Sequence, residues 1–379
     1  LQQAQAAGID TPELHHALGR TLGALFEQGL ADARRSGDKS WQEKRRVELA
    51  AQYLQPALRS LEKSRSLELE SPEYLDGLIA YYQQKYEEAQ NKGRRAAALL
   101  PWLYEAEQLE GNALFERALA LKNSGEYDES RKLLQDSLRH YQAAAEVGRS
   151  DEQVYDALCT AWQLHAELDR TQGRPQEDAM QRSIKACDLM ITTAPYHSTG
   201  YTKKARAYFF LAWPMLDKGG DVNALIKTVL LLAEKAILVD QNDAYAYDIR
   251  GNAYGCLARY EALRDGSPID NLKWARIALE KAIALNKNFP WAYNDLAIVS
   301  KVHGIWNLRH GIFTFDELYR AIGYLDKAIS LDVNFQSAYS GLINIYATLI
   351  EEKSDRGIDF QDDFLRSEKI ATALLSINH

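Results

Sequence analysis

The stretch AYDIRGNAYGCLARYEALRDGSP, residues 246–268, decides the fold of this chain. It reads as one amphipathic helix that runs into a turn at Gly266 and Pro268. Tyrosine accounts for 21 of 379 residues, yet it recurs here at a constant step of 46 residues. The members of this column are Tyr155, Tyr201, Tyr247, Tyr293 and Tyr339. Such recurrence in register indicates internal repeats.

Two further columns keep the same step. Lys-Ala-Ile stands at residues 235–237, 281–283 and 327–329. Glycines form the other column, which keeps the step to within one residue, at Gly173, Gly219 with Gly220, Gly266, Gly311 and Gly357. Each period holds two helical stretches of about 18 to 22 residues, and the glycine closes the first, because a helix end often needs a left-handed residue. No sustained alternation indicates a strand. The sequence predicts an all-α repeat protein.

A shorter unit in the N-terminal half carries a resemblance. Gly77 and Gly111 are 34 residues apart and enclose YEEAQNKGRRAAALLP, residues 86–101, with small residues at Ala89 and Ala96 and a proline exit. This resembles the tetratricopeptide repeat (TPR). The resemblance implies a right-handed α-solenoid of about eight helix-turn-helix repeats, most of them 46 residues long with lengthened helices. HEAT-type repeats remain the rival interpretation.

In the family pattern a small residue marks the crossing of the two helices of a repeat. Cys159, Ala205, Gly251 and Ala297 occupy that position on the first helix, and Ile343 departs from it. On the second helix, Ala275, Ala282, Ala321 and Ala328 supply small side chains. We expect Ala and Gly here because larger side chains would hold the helices apart.

We expect a single TPR-like superhelical domain over residues 1–379. Residues 1–70 form an irregular helical pair in which Pro56 should kink or break the second helix. Residues 71–150 form the shorter units. Residues 151–379 form the regular 46-residue repeats, closed by a terminal capping helix near 362–377.

Composition restricts the partners. The net charge of −8 arises from intermixed charges without a basic block, so we expect no nucleic-acid partner. The longest apolar run, near 229–239, is too short to enter a membrane as a span. Three scattered cysteines predict no disulfide framework, at least one free thiol and a reducing, cytoplasmic setting. Leu1 in place of Met indicates a piece of a longer protein.

Motifs for chemistry are lacking in the sequence. It has no phosphate-binding glycine loop, nucleophile elbow, HExxH or CxxC pair. His303 and His310 are seven residues apart, too far to share an ion on one helix. We therefore predict no catalytic residues, no metal site and no cofactor, and a fragment that is not an enzyme.

What remains is a surface. In TPR proteins, first-helix residues at fixed offsets from the small position line the concave groove, and polar side chains there bind extended peptides. The resemblance therefore implies a protein or peptide ligand bound by Asp156, Thr160, Thr202, Arg206, Asp248, Asn252, Trp291, Asn294 and Asn344.

Residues 99–151, from LLPWLYEAEQLEG onward, and TPELHHALGRTLGALFEQGL, residues 11–30, resemble the C-terminal TPR regions of large bacterial serine/threonine protein kinases. The resemblance implies a non-catalytic scaffold in signal transduction, which senses or recruits a partner, including the kinase domain of the same chain. Two alternatives stay open. One is a structural, oligomerising array. The other is an enzyme with its active site in the groove, which a buried Asp, Glu or His cluster with shifted pKa values would support.

Overall fold

A computed structural model describes residues 8–33, 39–66 and 71–377, and these residues form helices and turns without a strand. The helices follow one another as packed helix-turn-helix pairs. The predicted fold class, an all-α solenoid of TPR-like repeats, is confirmed. Leu1 and the predicted boundary at residue 70 lie outside the described residues.

The described chain divides at Pro195 into two compact units. The N-terminal unit contains α1 (Pro12–Ala33), α2 (Lys39–Leu49), α3 (Gln55–Lys63), α4 (Pro72–Tyr82), α5 (Tyr86–Leu99), α6 (Tyr104–Asn123), α7 (Tyr127–Val147), α8 (Glu152–Thr171) and α9 (Glu177–Thr193). The C-terminal unit contains α10 (Ser198–Asp217), α11 (Asn223–Val239), α12 (Ala244–Ala262), α13 (Ile269–Leu285), α14 (Pro290–Arg309), α15 (Asp316–Leu331), α16 (Gln336–Asp355) and α17 (Gln361–Ile377). The single-domain organisation stays a prediction.

The irregularity expected at Pro56 is present. Helix α2 passes into α3 through a π-helical turn, Ala50–Leu54, where the Gln55 N–H donates to the Ala50 carbonyl. Pro56 follows at the start of α3, where its missing N–H costs little.

Small residues bring the two helices of each regular repeat together. Cys159, Ala205, Gly251 and Ala297 are all buried, as predicted. A Cβ on Gly251 would lie 2.5 Å from Leu279 Cγ and 3.2 Å from the Ala275 carbonyl oxygen, so only glycine fits. The departing residue, Ile343, is only partly buried.

The glycine column closes most of the first helices as predicted. Gly173, Gly219, Gly311 and Gly357 have φ between +65° and +80°. In the α12 repeat the left-handed residue is instead Asp265, at φ +54°. Aspartate tolerates this conformation better than most residues, so Gly266 does not carry the turn there.

The cysteines differ from the expectation. Cys159 on α8 and Cys187 on α9 form a disulfide with an S–S distance of 2.07 Å. The sequence predicted no disulfide framework, and this single link, which is not a framework, was not predicted. The two residues are far apart in sequence, but the helix crossing brings them together. Cys256 is free and buried, as the odd count requires, and burial raises its pKa to about 12. The reducing, cytoplasmic setting stays a prediction, and the disulfide does not favour it.

Within the described ranges, none of the helices combines the length and apolar character that a membrane span requires.

Candidate partner-binding face

First helices of successive repeats in the C-terminal unit adjoin through polar side chains. Between α10 and the start of α12, the Thr202 hydroxyl donates to Asp243 Oδ2 at 3.1 Å. Asn252 Nδ2 on α12 donates to Asp295 Oδ2 on α14 at 2.7 Å. The Lys301 ammonium on α14 donates to Asn344 Oδ1 on α16. We call the line of polar side chains through Thr202, Asn252 and Asn344 the polar row.

Three of the predicted binding residues are exposed. Arg206 follows Thr202 by one turn, and its guanidinium lies 5.2 Å from the centre of the Phe210 ring. Asn344 is exposed beside its contact with Lys301. Trp291 opens α14 with 47% of its surface exposed. These three side chains can contact a partner without any rearrangement.

Two other predicted residues lie inside the protein. Asp248 is 9% exposed and Asn294 is 7% exposed. Asn294 Nδ2 donates to Asp295 Oδ1 at 3.1 Å, and Asn252 also reaches Asp248 Oδ2 at 3.4 Å. The side-chain amides of Asn252 and Asn294 therefore donate hydrogen bonds to the buried carboxyl groups of Asp248 and Asp295.

Asp248 and Asp295 form a buried carboxyl pair between α12 and α14. Burial raises the pKa of Asp248 well above its usual value, and the neighbouring Asp295 raises it further. Burial also raises the pKa of Asp295 to about 6, although hydrogen bonds from Asn252 and Asn294 and the charge of Arg206 oppose it. Two carboxylates cannot both ionise at such close range, so the pair holds a proton near neutral pH.

The remaining predicted residues are partly buried. Thr202 and Asn252 belong to the polar row of the C-terminal unit. Asp156 and Thr160 lie on α8 of the N-terminal unit, where the Thr160 hydroxyl donates to the Asp156 carbonyl at 2.8 Å.

Exposed aromatic residues beside the polar row form a repeated contact that the sequence analysis missed. Tyr245 lies 4.6 Å from Phe289, and Trp291 lies 4.5 Å from Phe335, measured between ring centres. Both members advance by 46 residues. That shared step was the available signal.

Two surface cavities among the described residues differ in their relation to the polar row. One, of about 490 Å³, lies along α16 and is lined by Ser340, Ile343, Asn344, Ala347, Thr348 and Glu351, so it includes one end of the polar row. The larger, of about 770 Å³, lies at the start of α5 in the N-terminal unit among Lys85, Glu87, Lys92, Arg95 and Arg117. It contains none of the predicted binding residues. Cavity volume alone therefore does not identify the partner-binding face, which we assign to the polar row.

Comparisons with known proteins give the fold. No family model matches the sequence, and no curated protein matches it either. Among solved structures, human IFIT1, a dimer with m7Gppp-AAAA, is 14% identical over 93% of this chain and 72% of its own, with a TM-score of 0.50. A tetratricopeptide repeat protein from Parabacteroides merdae is 14% identical over 81% of this chain and 97% of its own, with a TM-score of 0.45. TTC0263, a thermophilic TPR protein of Thermus thermophilus, is 16% identical over 63% of this chain and 99% of its own, with a TM-score of 0.41.

The chain has a TPR-like fold. Sequence identities this low indicate the fold alone, because proteins that share one fold can have many different functions. The residues of the candidate face must therefore carry the functional argument.

Proposed function

We propose that this TPR-like chain is a non-catalytic scaffold that binds a protein segment on the polar row of its C-terminal unit. One observation carries the proposal. Arg206, Trp291 and Asn344 are exposed, while contacts with Phe210, Phe335 and Lys301 restrain their side chains. Restrained aromatic and arginine side chains lose little entropy on binding, and they are enriched at binding hot spots.

Charge favours a protein ligand over a nucleic acid. The IFIT1 structure contains m7Gppp-AAAA, and binding the phosphates of a nucleic acid requires a basic surface. Here the polar row runs beside Asp243, Asp248 and Asp295, and the whole chain carries a net charge of −8. Polar side chains with both donors and acceptors suit the backbone of an extended peptide.

The test starts from a random peptide library displayed on phage and selected on the purified protein. Affinities of the selected peptides are then measured by fluorescence anisotropy for the wild type and for Trp291→Ala, Arg206→Ala and Asn344→Ala. We expect Trp291→Ala to weaken binding about tenfold or more, since truncating a hot-spot residue costs roughly 2 kcal/mol or more.

Trp274→Ala is the matched control. Trp274 lies on the second-helix side, on α13, and is 50% exposed, nearly the same as Trp291. The control should bind the peptides like the wild type. If the Trp291 and Trp274 variants bind the peptides with equal affinity, the binding site does not lie on this face. If the library yields no binder, the ligand is not an extended peptide.

Asn252 is a poor probe of binding because it also donates to the buried Asp295. Replacing it removes the hydrogen bond that holds α12 to α14 at this point. We therefore expect Asn252→Ala to lower the melting temperature, in contrast to Asn344→Ala, whose side chain is exposed.

We further propose that the scaffold is the sensing or recruiting part of a larger cytoplasmic bacterial serine/threonine kinase. This rests on the resemblance of residues 11–30 and 99–151 to such kinases. The reading frame that encodes Leu1 should then contain an HRD catalytic loop and a DFG triplet upstream. A frame without them would refute the kinase assignment while leaving the binding face untouched.

The buried Asp248–Asp295 pair is the feature that would favour an enzyme instead. Three of its four oxygens accept hydrogen bonds from Asn252 and Asn294, and Asp248 Oδ1 is buried without one. The pair lines neither of the two cavities described above. A catalytic carboxyl pair must reach its substrate. We therefore propose a structural role for the pair.

A further inference from the structure

A cluster of ligand-type side chains lies in the N-terminal unit, outside the polar row. Glu107 and Glu110 are three residues apart on α6, and His140 faces them from α7. One ligand atom from each residue lies within 4.8 Å of the other two. The helix pair thus brings together the nitrogen and oxygen ligands that zinc-class ions accept.

Glu110 forms the floor of the cluster. The residue is 1% exposed, and its Oε2 atom has no hydrogen bond. The nearest cationic groups are Arg94 Nε at 3.5 Å and His140 Nε2 at 3.7 Å, both beyond the usual N–H···O distance. A buried carboxylate without a hydrogen bond is costly unless a charge neutralises it.

Space for Glu110 comes from Gly93 on α5. A Cβ at Gly93 would lie 2.9 Å from Glu110 Cγ and 3.1 Å from the Ala106 carbonyl oxygen. Burial raises the pKa of Glu110, and the charges of His140 and Arg94 counter this only in part. The carboxyl group is therefore held in a cradle that does not satisfy it.

Solvent can reach the cluster from one side. The side chains of Glu107 and His140 are 31% and 27% exposed, and His140 Nδ1 lies 2.7 Å from Glu107 Oε2. Arg94, whose side chain is 61% exposed, lies over Glu110. A long, exposed arginine can swing away, so neither neighbour closes the entrance.

We propose that Glu107, Glu110 and His140 bind a divalent ion of the zinc class, with water as the remaining ligand, and that this ion joins α6 to α7. The bound ion takes the place next to Glu110 that the guanidinium of Arg94 now occupies.

The experiment uses the whole chain, treated with a chelator and then titrated with zinc chloride by isothermal calorimetry in the presence of excess Mg²⁺. We expect one zinc equivalent that is lost in both Glu110→Gln and His140→Gln. The matched control is Glu129→Gln, an exposed α7 glutamate paired with Lys132, which should bind zinc like the wild type. Zinc should also raise the melting temperature of the wild type, since a ligand of the folded state stabilises it.

Arg94→Gln separates this site from adventitious binding elsewhere. It removes the competing cation, so zinc should bind several-fold more tightly, whereas a surface site would not respond. Should Glu110→Gln fail to fold, Arg94→Gln and Glu107→Gln still decide the matter, with tighter binding in the first and at least about tenfold weaker binding in the second. Absence of a zinc equivalent in the wild type, or the same affinity in all variants, would overturn the proposal.

Discussion

The α8–α9 and α12–α13 repeats build the same helix crossing in two ways. In the first, Cys159 and Cys187 meet in a disulfide. In the second, the residues 92 positions later are Gly251 and Leu279, and the leucine fills the space that glycine leaves. The same helix crossing is thus formed by a disulfide between two small residues in one repeat. In the other repeat it is formed by packing a leucine against a glycine.

The repeats with an alanine follow the same rule. Ala205 and Ala233 lie at the corresponding positions of α10 and α11, and Ala297 and Leu325 at those of α14 and α15, all buried. Close packing makes the two positions of each repeat dependent on one another. Substitutions at a facing pair should therefore be non-additive.

The largest expected effect is loss of the covalent link. Cys187→Ala opens a loop closed by residues 28 apart in sequence, and we expect the free energy of unfolding to fall by about 3 kcal/mol, as measured by urea denaturation. Treating the wild type with a reductant should lower its free energy of unfolding by a similar amount.

Cys256→Ala is the control for this change, since Cys256 is buried but unpaired. It should cost about 1 kcal/mol, the cost of deleting one small buried group. A thiol titration of the unfolded, unreduced protein should find one free thiol. Finding three would remove the disulfide and with it this side of the comparison.

The glycine side of the comparison predicts a change of sign between two identical substitutions. Gly251→Ala forces a methyl group against Leu279 and the Ala275 carbonyl, so it should destabilise the protein by about 1 to 3 kcal/mol. Gly323→Ala on α15 meets nothing within 4 Å and should stabilise it by roughly 0.5 to 1 kcal/mol through helix propensity. Thermal unfolding of both variants tests this, and a stabilising Gly251→Ala would show that the crossing is loose.

The smallest expected effect concerns pH, and it distinguishes the same two repeats. The folded pKa values of Asp248 and Asp295 are raised, so the folded protein binds more protons than the unfolded chain. The stability from that proton is complete below the unfolded pKa of about 4 and is lost as pH rises through about 6 and above. Asp248→Asn keeps a hydrogen-bond donor beside Asp295, so the free energy of unfolding should fall less as the pH rises. At pH 8 the variant should be more stable than the wild type by on the order of 1 to 2 kcal/mol.

Asp156 occupies the place of Asp248 in the α8 repeat, which makes Asp156→Asn the control. Its pH profile of unfolding should match that of the wild type. If Asp248→Asn also leaves the profile unchanged, the pair does not share a proton.

The sequence predicted the elements that repeat. The 46-residue step of Tyr247 and its counterparts gave the helix pairs, and the small position gave the buried crossing, because both features are needed in every repeat. Features that occur once escaped it. The disulfide was not predicted because the number of cysteines does not show which of them face each other across a helix crossing. The repeat does carry that information, since 28 residues separate Cys159 from Cys187 and also Gly251 from Leu279.

The sequence predicted candidate binding residues but not their exposure. Offsets from the small residue identified Asp248, Asn294 and Asn344 alike, yet the first two are buried and the third is exposed. Asp295, which no offset singled out, accepts a hydrogen bond from Asn294 and raises the pKa of Asp248. The Glu107, Glu110 and His140 cluster was missed for a similar reason, since it joins two helices whose spacing carries no recognised motif.

The hydrogen bonds of the polar row join residues only 41 to 43 positions apart, from one repeat to the next. Pulled from its end, a chain connected in this way loses its contacts one hairpin after another, because each hairpin is held chiefly by its neighbours. Single-molecule stretching of the C-terminal unit should therefore give a series of short, stepwise extensions. The two repeats joined by the buried carboxyl pair should separate at lower force in alkaline buffer than in acidic buffer.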